Sequence, residues 1–215
     1  MNVLGFLSLV FVYLKKRIST MLAFFVGLLY NENIMEKNTD FSEKKRSLRR
    51  AVLSLLPSVP DRESRELAVT EKALAYVKMH AVHKVAVYLS GKGELSTDRL
   101  IDGLHSLGVK TFAPVIVGER EMVFSEIKKG DDFTMNRYGL REPILRETET
   151  DFDVIFVPLV AFDASFRRLG RGKGFYDRFL QEKDVVSIGL AFSEQQVEKV
   201  PCDEWDKPLD LVIFA

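Results

Sequence analysis

Short apolar runs alternate with helix-like segments along most of this 215-residue chain, and this order restricts the folds open to it. The runs are rich in valine, isoleucine and leucine and are short enough to form buried strands. Strands are predicted at Val85–Leu89, Lys110–Val115 (with its end set by Pro114), Met122–Ile127, Val154–Val157, Val185–Leu190 and Leu211–Phe214. Strands that alternate with helices favour an α/β domain with a mainly parallel sheet.

Helices are predicted where apolar residues recur three and four positions apart. They begin near Phe41 (ending at Pro57 and Pro60) and cover Asp61–Met79 and Thr97–Leu107. The periodicity is weaker between Glu119 and Glu149, where a hairpin or an irregular segment is expected. Residues 35–215 are therefore predicted to form a single α/β domain.

The first 34 residues differ in composition from the rest of the chain. Two apolar runs, Asn2–Leu14 and Ile18–Tyr30, flank a basic triplet, and neither has the roughly 20 residues that span a bilayer. This extension could be a membrane anchor, a signal-like sequence, or a stretch that is not translated because synthesis starts at Met21 or Met35. We favour the late start, since the parts of the fold all follow it. The protein would then be cytoplasmic, and membrane contact would require residues 1–34.

Composition excludes several classes of protein. The 31 basic residues balance the 31 acidic residues, so there is no global positive field to attract nucleic acid. Cys202 is the single cysteine, which excludes an internal disulfide and fits a reducing compartment. The three histidines do not have the spacing of zinc ligands.

The glycine-rich run RRLGRGKGFYDRFL at residues 167–180 carries the strongest functional signal. Its three alternate glycines are interleaved with cations, and it follows a predicted strand and precedes a helix that begins at Phe175. Ligands of open α/β sheets bind beyond the carboxyl ends of strands. Glycine backbone, a helix start, lysine and arginine together suit a phosphate group. The alternative is a flexible basic surface turn.

An acid within the same run refines this interpretation. Asp177 would weaken the binding of an anion unless a divalent cation lay between its carboxylate and the phosphates. The run is not a dinucleotide fingerprint, which would need glycine at position 177. It is not a Walker loop either, because that loop ends in G-K-[ST].

Several segments occur together in an order that resembles the 5-formyltetrahydrofolate cyclo-ligase (5,10-methenyltetrahydrofolate synthetase) family. The similarity covers about residues 44–215 and implies a three-layer α/β sandwich related to the sugar-phosphate isomerase and CoA-transferase group. The matching segments are KRSLR (45–49), YLS with Glu94 and Thr97 (88–97), YGLREP (138–143), DVIFVPLVAFD (153–163), RLGRGKGFYDRFL (168–180), IGLAFSEQ (188–195) and VPCDEWDKPLD (200–210).

The resemblance implies that ATP drives cyclisation of 5-formyltetrahydrofolate to 5,10-methenyltetrahydrofolate, with release of ADP and phosphate. Phosphorylation of the formyl oxygen would make it a leaving group, so that N10 can close the ring. The implied partners are a reduced folate, ATP and Mg²⁺, and a monomer is expected.

The site residues combine this resemblance with the chemistry of the side chains. The expected ATP-binding residues are Lys45, Arg49, Gly170, Arg171, Gly172, Lys173, Gly174, Phe175, Tyr176 and Asp177. Arg171 and Lys173 are the expected catalytic cations, next to the transferring phosphoryl group. Expected folate-binding residues are Glu94, Tyr138 and Tyr176, and the expected Mg²⁺ ligands are Asp177 and Asp206.

Two positions depart from the family pattern. Phe166 stands where members usually carry glycine, and Trp205 where many carry histidine or asparagine. Phenylalanine adopts positive φ poorly, so the start of the glycine-rich run needs an explanation. These departures leave open a nucleotide-binding protein of the same fold without ligase activity. A membrane-anchored interaction protein that acts through residues 1–30 is the other alternative.

Overall fold

The structure is a computed structural model that describes residues 41–181, 183–202 and 206–215. The expectations for residues 1–34 and for Trp205 lie outside the described residues. The helices are α1 (Phe41–Leu55), α2 (Arg62–Met79), α3 (Asp98–Ser106) and α4 (Phe175–Leu180), with 3₁₀ turns at Leu56–Ser58 and Ser193–Gln195. The strands are β1 (Lys84–Val87), β2 (Lys110–Ile116), β3 (Met122–Ile127), β4 (Phe133–Met135), β5 (Arg141–Pro143), β6 (Thr148–Glu149), β7 (Val154–Val157), β8 (Ala161–Phe162), β9 (Arg168–Leu169), β10 (Val186–Ala191) and β11 (Leu211–Phe214).

Seven of these strands form the central sheet in the order β11-β10-β7-β1-β2-β3-β6. The pairs β11–β10, β10–β7, β7–β1 and β1–β2 are parallel, while β3 and β6 add antiparallel pairs at one edge. The prediction of a mainly parallel α/β sheet is therefore confirmed.

The chain reverses its direction of travel across this sheet at β1. From β1 it moves outward to β2 and β3, and it later returns to β7 on the opposite side of β1. The carboxyl ends of β1 and β7 therefore flank a topological switch point, where open α/β sheets form a ligand-binding crevice. The segments after Val87 and Val157 both begin at this crevice.

Helices cover both faces of the sheet and give three layers. Helices α2 and α3 pack their apolar residues with Val85 and Val87 of β1. Ala86 of the same strand faces the opposite side, where Leu180 of α4 is buried. This follows from the alternation of side chains along a strand.

The first helix belongs to a separate cluster next to the glycine-rich run. Leu48 and Val52 of α1 are buried together with Leu169 and Val200. Burial of these apolar residues packs α1 against the segment that precedes Gly170. Cationic residues of α1 that lie beside the apolar ones can therefore reach that segment.

Most predicted elements agree with the structure to within one or two residues. Strand β2 ends at Ile116, one residue beyond the predicted Val115, and Pro114 does not end it. It pairs with β1 only as far as Phe112, so the missing N–H of proline costs no hydrogen bond on that side. Of the hairpin and the irregular segment that were expected as alternatives between Glu119 and Glu149, the structure contains a hairpin, β4–β5. Within the described ranges, no helix combines the length and apolar character required to cross a membrane.

Candidate active site at the switch point

The glycine-rich run leaves β7 through a short hairpin that contains a strained turn. Phe166 has φ of 57°, in the left-handed region that costs a non-glycine residue about 1–3 kcal/mol. The buried carboxylate of Asp163 holds this turn by accepting the N–H groups of Ser165 (2.9 Å) and Arg167 (3.2 Å). The departure at Phe166 is thus accommodated by local hydrogen bonds.

Two of the three glycines in the run use conformations that other residues rarely adopt. Gly172 has φ of 95° and Gly174 has φ of 69°, whereas Gly170 lies outside the left-handed region. A Cβ atom at Gly172 would lie 3.3 Å from Cζ of Arg49. The close approach of a guanidinium to this backbone therefore requires glycine here.

Two cations of α1, one turn apart, lie against the same region. Nε of Arg49 donates to the carbonyl oxygen of Gly170 at 2.7 Å. Lys45 forms an ion pair with Asp206. Burial lowers the pKa of Arg49, and the negative charge of Asp206 partly opposes that shift. The structure therefore brings together three of the predicted side chains from the two ends of the chain.

The segments after β1 and β7 meet across the switch point. Nε of Arg171 donates to Oε1 of Glu94 at 2.7 Å, and Nη2 of Arg171 reaches the carbonyl oxygen of Lys92 at 3.1 Å. Oε2 of Glu94 accepts the N–H of Gly91 at 2.8 Å, which fixes the carboxylate in its turn. A residue expected on phosphate and a residue expected on folate are thus in direct contact.

The two predicted metal ligands are each paired with a cation in this structure. Asp177 pairs with Arg168, whose side chain is only 4% exposed, and Arg168 also donates to the carbonyl oxygen of Lys207 at 2.8 Å. No group of three or more metal-ligating side chains occurs among residues 41–181, 183–202 and 206–215. Mg²⁺ commonly takes one or two carboxylates, completed by phosphate oxygens and water. Arg168 contacts Asp177 and the carbonyl oxygen of Lys207, and so links the two segments that carry these acids.

Tyr138 lies at an exposed margin of the site. Nζ of Lys173 is 5.3 Å from the centroid of the Tyr138 ring, and Arg137 lies on the same ring at 5.0 Å. Tyr138 also lines a cleft of about 420 Å³ with Ile116 and Asn136. The contact places one predicted phosphate cation beside one predicted folate residue.

Tyr176 occupies the interior of the site. Its ring packs against Phe124 in an edge-on arrangement with 6.4 Å between centroids. Its hydroxyl is buried, and no hydrogen-bond partner for it occurs in the described part of the chain. Burial strongly raises the pKa of this phenol, Glu94 raises it further and Arg168 opposes the shift.

Sequence reasoning missed the roles of three residues that shape the site. Asp163 holds the strained turn, Arg168 joins Asp177 to the chain near Asp206, and Arg178 donates from Nη2 to the carbonyl oxygen of Lys173 at 2.9 Å. The abundance of arginine in the run was visible in the sequence. Which guanidinium groups are buried in the protein's own contacts depends on residues far apart in the chain.

A doubly wound sheet with a cationic, glycine-rich segment at its switch point is typical of α/β proteins that bind phosphorylated ligands. The family model described as the 5-formyltetrahydrofolate cyclo-ligase family matches residues 41–215. The chain is 33% identical over 181 residues to the 5-formyltetrahydrofolate cyclo-ligase of Haemophilus influenzae, covering 80% of this chain and 96% of that protein. It is 37% identical over 151 residues to the enzyme of that name from Escherichia coli, covering 66% of this chain and 83% of that protein.

Two solved structures of 5,10-methenyltetrahydrofolate synthetases also align with this chain. The 5,10-methenyltetrahydrofolate synthetase of Aquifex aeolicus aligns with a TM-score of 0.67 and 31% identity, covering 79% of this chain and 89% of that one. The synthetase of Mycoplasma pneumoniae aligns with a TM-score of 0.63 at 24% identity over 79% of this chain and 97% of that one, a likeness that bears on the fold. This chain belongs to the 5-formyltetrahydrofolate cyclo-ligase family, as its motifs predicted.

Proposed function

We propose that the protein uses ATP to cyclise 5-formyltetrahydrofolate to 5,10-methenyltetrahydrofolate, releasing ADP and phosphate. The observation that carries this proposal is the contact between Arg171 and Glu94 at the switch point. It joins a glycine-rich segment suited to phosphate with a carboxylate suited to the amino groups of a pteridine. Family membership supports the same substrates. We place the reaction in the cytoplasm, since a single cysteine fits a reducing compartment.

The chemistry requires positioned charge around a transferring phosphoryl group. The formyl oxygen attacks the γ-phosphorus of ATP, an oxygen–phosphorus bond forms, and the bond to ADP breaks. N10 then attacks the formyl carbon, the carbon–oxygen bond breaks to release phosphate, and the N10 proton leaves. Negative charge moves along the phosphate oxygens in the first step, so fixed cations stabilise that transition state.

The cations of the site are arranged for this task. Arg49 is already held against the backbone at Gly170 and Gly172, so it needs little reorganisation to bind a phosphate there. Lys173 is exposed and borders the site through Tyr138. Arg171 must leave Glu94 to bind phosphate, and that movement would expose the carboxylate to the folate.

Asp177 and Asp206 are the residues that would hold Mg²⁺. A bound Mg²⁺ would neutralise part of the phosphate charge and orient the γ-phosphoryl group. Each carboxylate now faces a cation of the protein, Arg168 or Lys45.

The proposal is tested by mixing purified protein with 5-formyltetrahydrofolate, ATP and MgCl₂ and following methenyltetrahydrofolate and ADP. Formation of both products in equal amounts, dependent on all three additions, is expected. Binding of ATP without methenyltetrahydrofolate would instead identify a nucleotide-binding protein of the same fold. Product formation without ATP consumption would contradict the phosphorylation step.

A further inference from the structure

The position of Tyr176 in the fold gives its hydroxyl group a special setting. The ring contacts both hydrophobic clusters, which lie on opposite faces of the central sheet. Because the sheet separates these clusters, one side chain can reach both only beyond the ends of the strands. Tyr176 therefore lies over the carboxyl ends of the strands, beneath the glycine-rich run and next to the switch point.

The hydroxyl at this position is buried and lacks a hydrogen-bond partner within the described ranges of the chain. A buried hydroxyl without a partner destabilises a folded protein, and native structures contain few of them. Phenylalanine would fill nearly the same space without that cost. A tyrosine in such a place indicates that a group outside the described part of the chain completes its hydrogen bonding.

The charged groups near the phenol indicate which hydrogen bond its hydroxyl can make with a ligand. Glu94 and Arg168 are the charged groups near it. A neutral tyrosine hydroxyl can donate a hydrogen bond. A donor close to Glu94 suits a ligand that presents an acceptor beside its own N–H groups.

A reduced pteridine has such an edge, with amino and ring N–H donors next to a carbonyl oxygen. Glu94 offers two carboxylate oxygens for the donors, while the carbonyl needs a donor from the protein. We propose that the Tyr176 hydroxyl donates a hydrogen bond to an acceptor atom of the reduced folate bound beside Glu94. Tyr176 would then bind substrate through its hydroxyl, and not only through the face of its ring. This inference rests on the proposed function.

Tyr88 provides a matched control within the same region. Its hydroxyl is buried like that of Tyr176, but it donates to the carbonyl oxygen of Leu95 at 3.1 Å. Burial raises the pKa of Tyr88 as well, so the two phenols differ mainly in whether the protein satisfies them. Removal of the hydroxyl should therefore have opposite effects on the stability of the unliganded protein at the two positions.

The experiment compares Tyr176→Phe, Tyr88→Phe and the unsubstituted protein by thermal melting without ligand and by calorimetric titration with 5-formyltetrahydrofolate and, separately, with ATP and MgCl₂. Tyr176→Phe should melt at the same or a higher temperature but bind 5-formyltetrahydrofolate about tenfold more weakly, the scale of one lost hydrogen bond. Its affinity for ATP should change less than its affinity for 5-formyltetrahydrofolate. Tyr88→Phe should melt at a lower temperature and keep both affinities.

The outcomes separate this inference from the proposed function. Unchanged folate affinity in Tyr176→Phe would overturn it, and so would a loss confined to ATP. A lower melting temperature with unchanged Kd would show that the hydroxyl has a structural partner. If the unsubstituted protein failed to bind 5-formyltetrahydrofolate, the proposed function would fail first and this inference with it.

Discussion

The glycine-rich run and the loop that carries Tyr138 border the same site but are built in different ways. The run is held by contacts from distant segments, such as Arg49 on Gly170 and Arg178 on the carbonyl of Lys173. Tyr138 is 38% exposed, and its backbone N–H donates to the side chain of Asn136, two residues away, at 2.8 Å. The glycine-rich run is therefore fixed by the tertiary structure, whereas Tyr138 lies in a local turn of the β4–β5 hairpin.

This difference indicates which part of the proposed reaction the glycine-rich run and the Tyr138 loop can each serve. Stabilisation of a phosphoryl-transfer transition state depends on charges that are in place before the reaction. Contact with a flat ring needs only an apolar surface, and an exposed side chain can provide it. We therefore expect substitutions in the run to lower kcat and substitutions at Tyr138 to raise KM for the folate.

The largest effect is expected from Lys173→Ala. Loss of a cation that acts on the transferring phosphoryl group should raise the transition-state free energy by about 2–4 kcal/mol, measured from kcat/KM for ATP. The melting temperature without ligand should not change, because Lys173 is exposed. Lys129→Ala, an exposed lysine in the turn after β3, is the control and should keep full activity. Activity retained in Lys173→Ala would remove it from the catalytic residues.

Gly172→Val should reduce kcat/KM for ATP through the backbone. A β-branched side chain resists φ of 95° and would displace Arg49, whose Cζ would lie 3.3 Å from the new Cβ. Gly130→Val serves as the control, since Gly130 has φ of 86° but open space around its Cβ position. Both variants should lose stability, and only Gly172→Val should also lose stabilisation by ATP and Mg²⁺ in thermal melts. Equal behaviour of the two would show that backbone strain alone is responsible.

Asp206→Asn should shift the dependence of the rate on Mg²⁺. The concentration of Mg²⁺ for half-maximal rate should rise by about tenfold or more, since even residues that support a metal ligand change affinity by that factor. Asp177→Asn should do the same and also lower the melting temperature, because it weakens the partner of the buried Arg168. Asp151→Asn, an exposed acid paired with Lys84, is the control. An unchanged Mg²⁺ dependence in both site variants would refute the metal assignment.

A smaller effect is expected from Tyr138→Ala. The KM for 5-formyltetrahydrofolate should rise by about twofold to fivefold, the scale of one exposed aromatic contact, with little change in kcat. Tyr138→Phe keeps the ring under Lys173 and should behave like the unsubstituted protein. A large fall in kcat for Tyr138→Ala would mean that the hairpin loop belongs with the run and would break the comparison.

The smallest effect is expected from starting the chain at Met35. The recognised motifs lie after Phe41, and the family model begins at residue 41, so both sides of the site should remain. We expect unchanged kcat, KM and melting temperature relative to the full chain. Recovery of the shorter protein only as aggregate would show that the first 34 residues take part in the fold.

Much of the fold could be predicted because its signals are local. The run Val154–Val157 is short and fully apolar, which is typical of a strand buried on both faces of a parallel sheet. Gly174 and Phe175 marked the start of α4 by the same kind of short-range signal. The sequence does not show why β2 tolerates Pro114, because the cost of proline in a strand depends on which neighbouring strand it faces, and β1 stops pairing at Phe112.

The sequence by itself determined which residue types are available to the candidate site: glycines where the backbone must turn, lysine and arginine cations, and carboxylates. Only the tertiary structure decided which of these groups meet. Arg168 and Arg171 stand three positions apart in the sequence. Arg168 is buried and pairs with Asp177, whereas Arg171 pairs with Glu94 in the segment that follows β1. The physical reason is that the crevice forms where β1 and β7 become neighbours, and that pairing joins segments about 70 residues apart (Val85 with Val154).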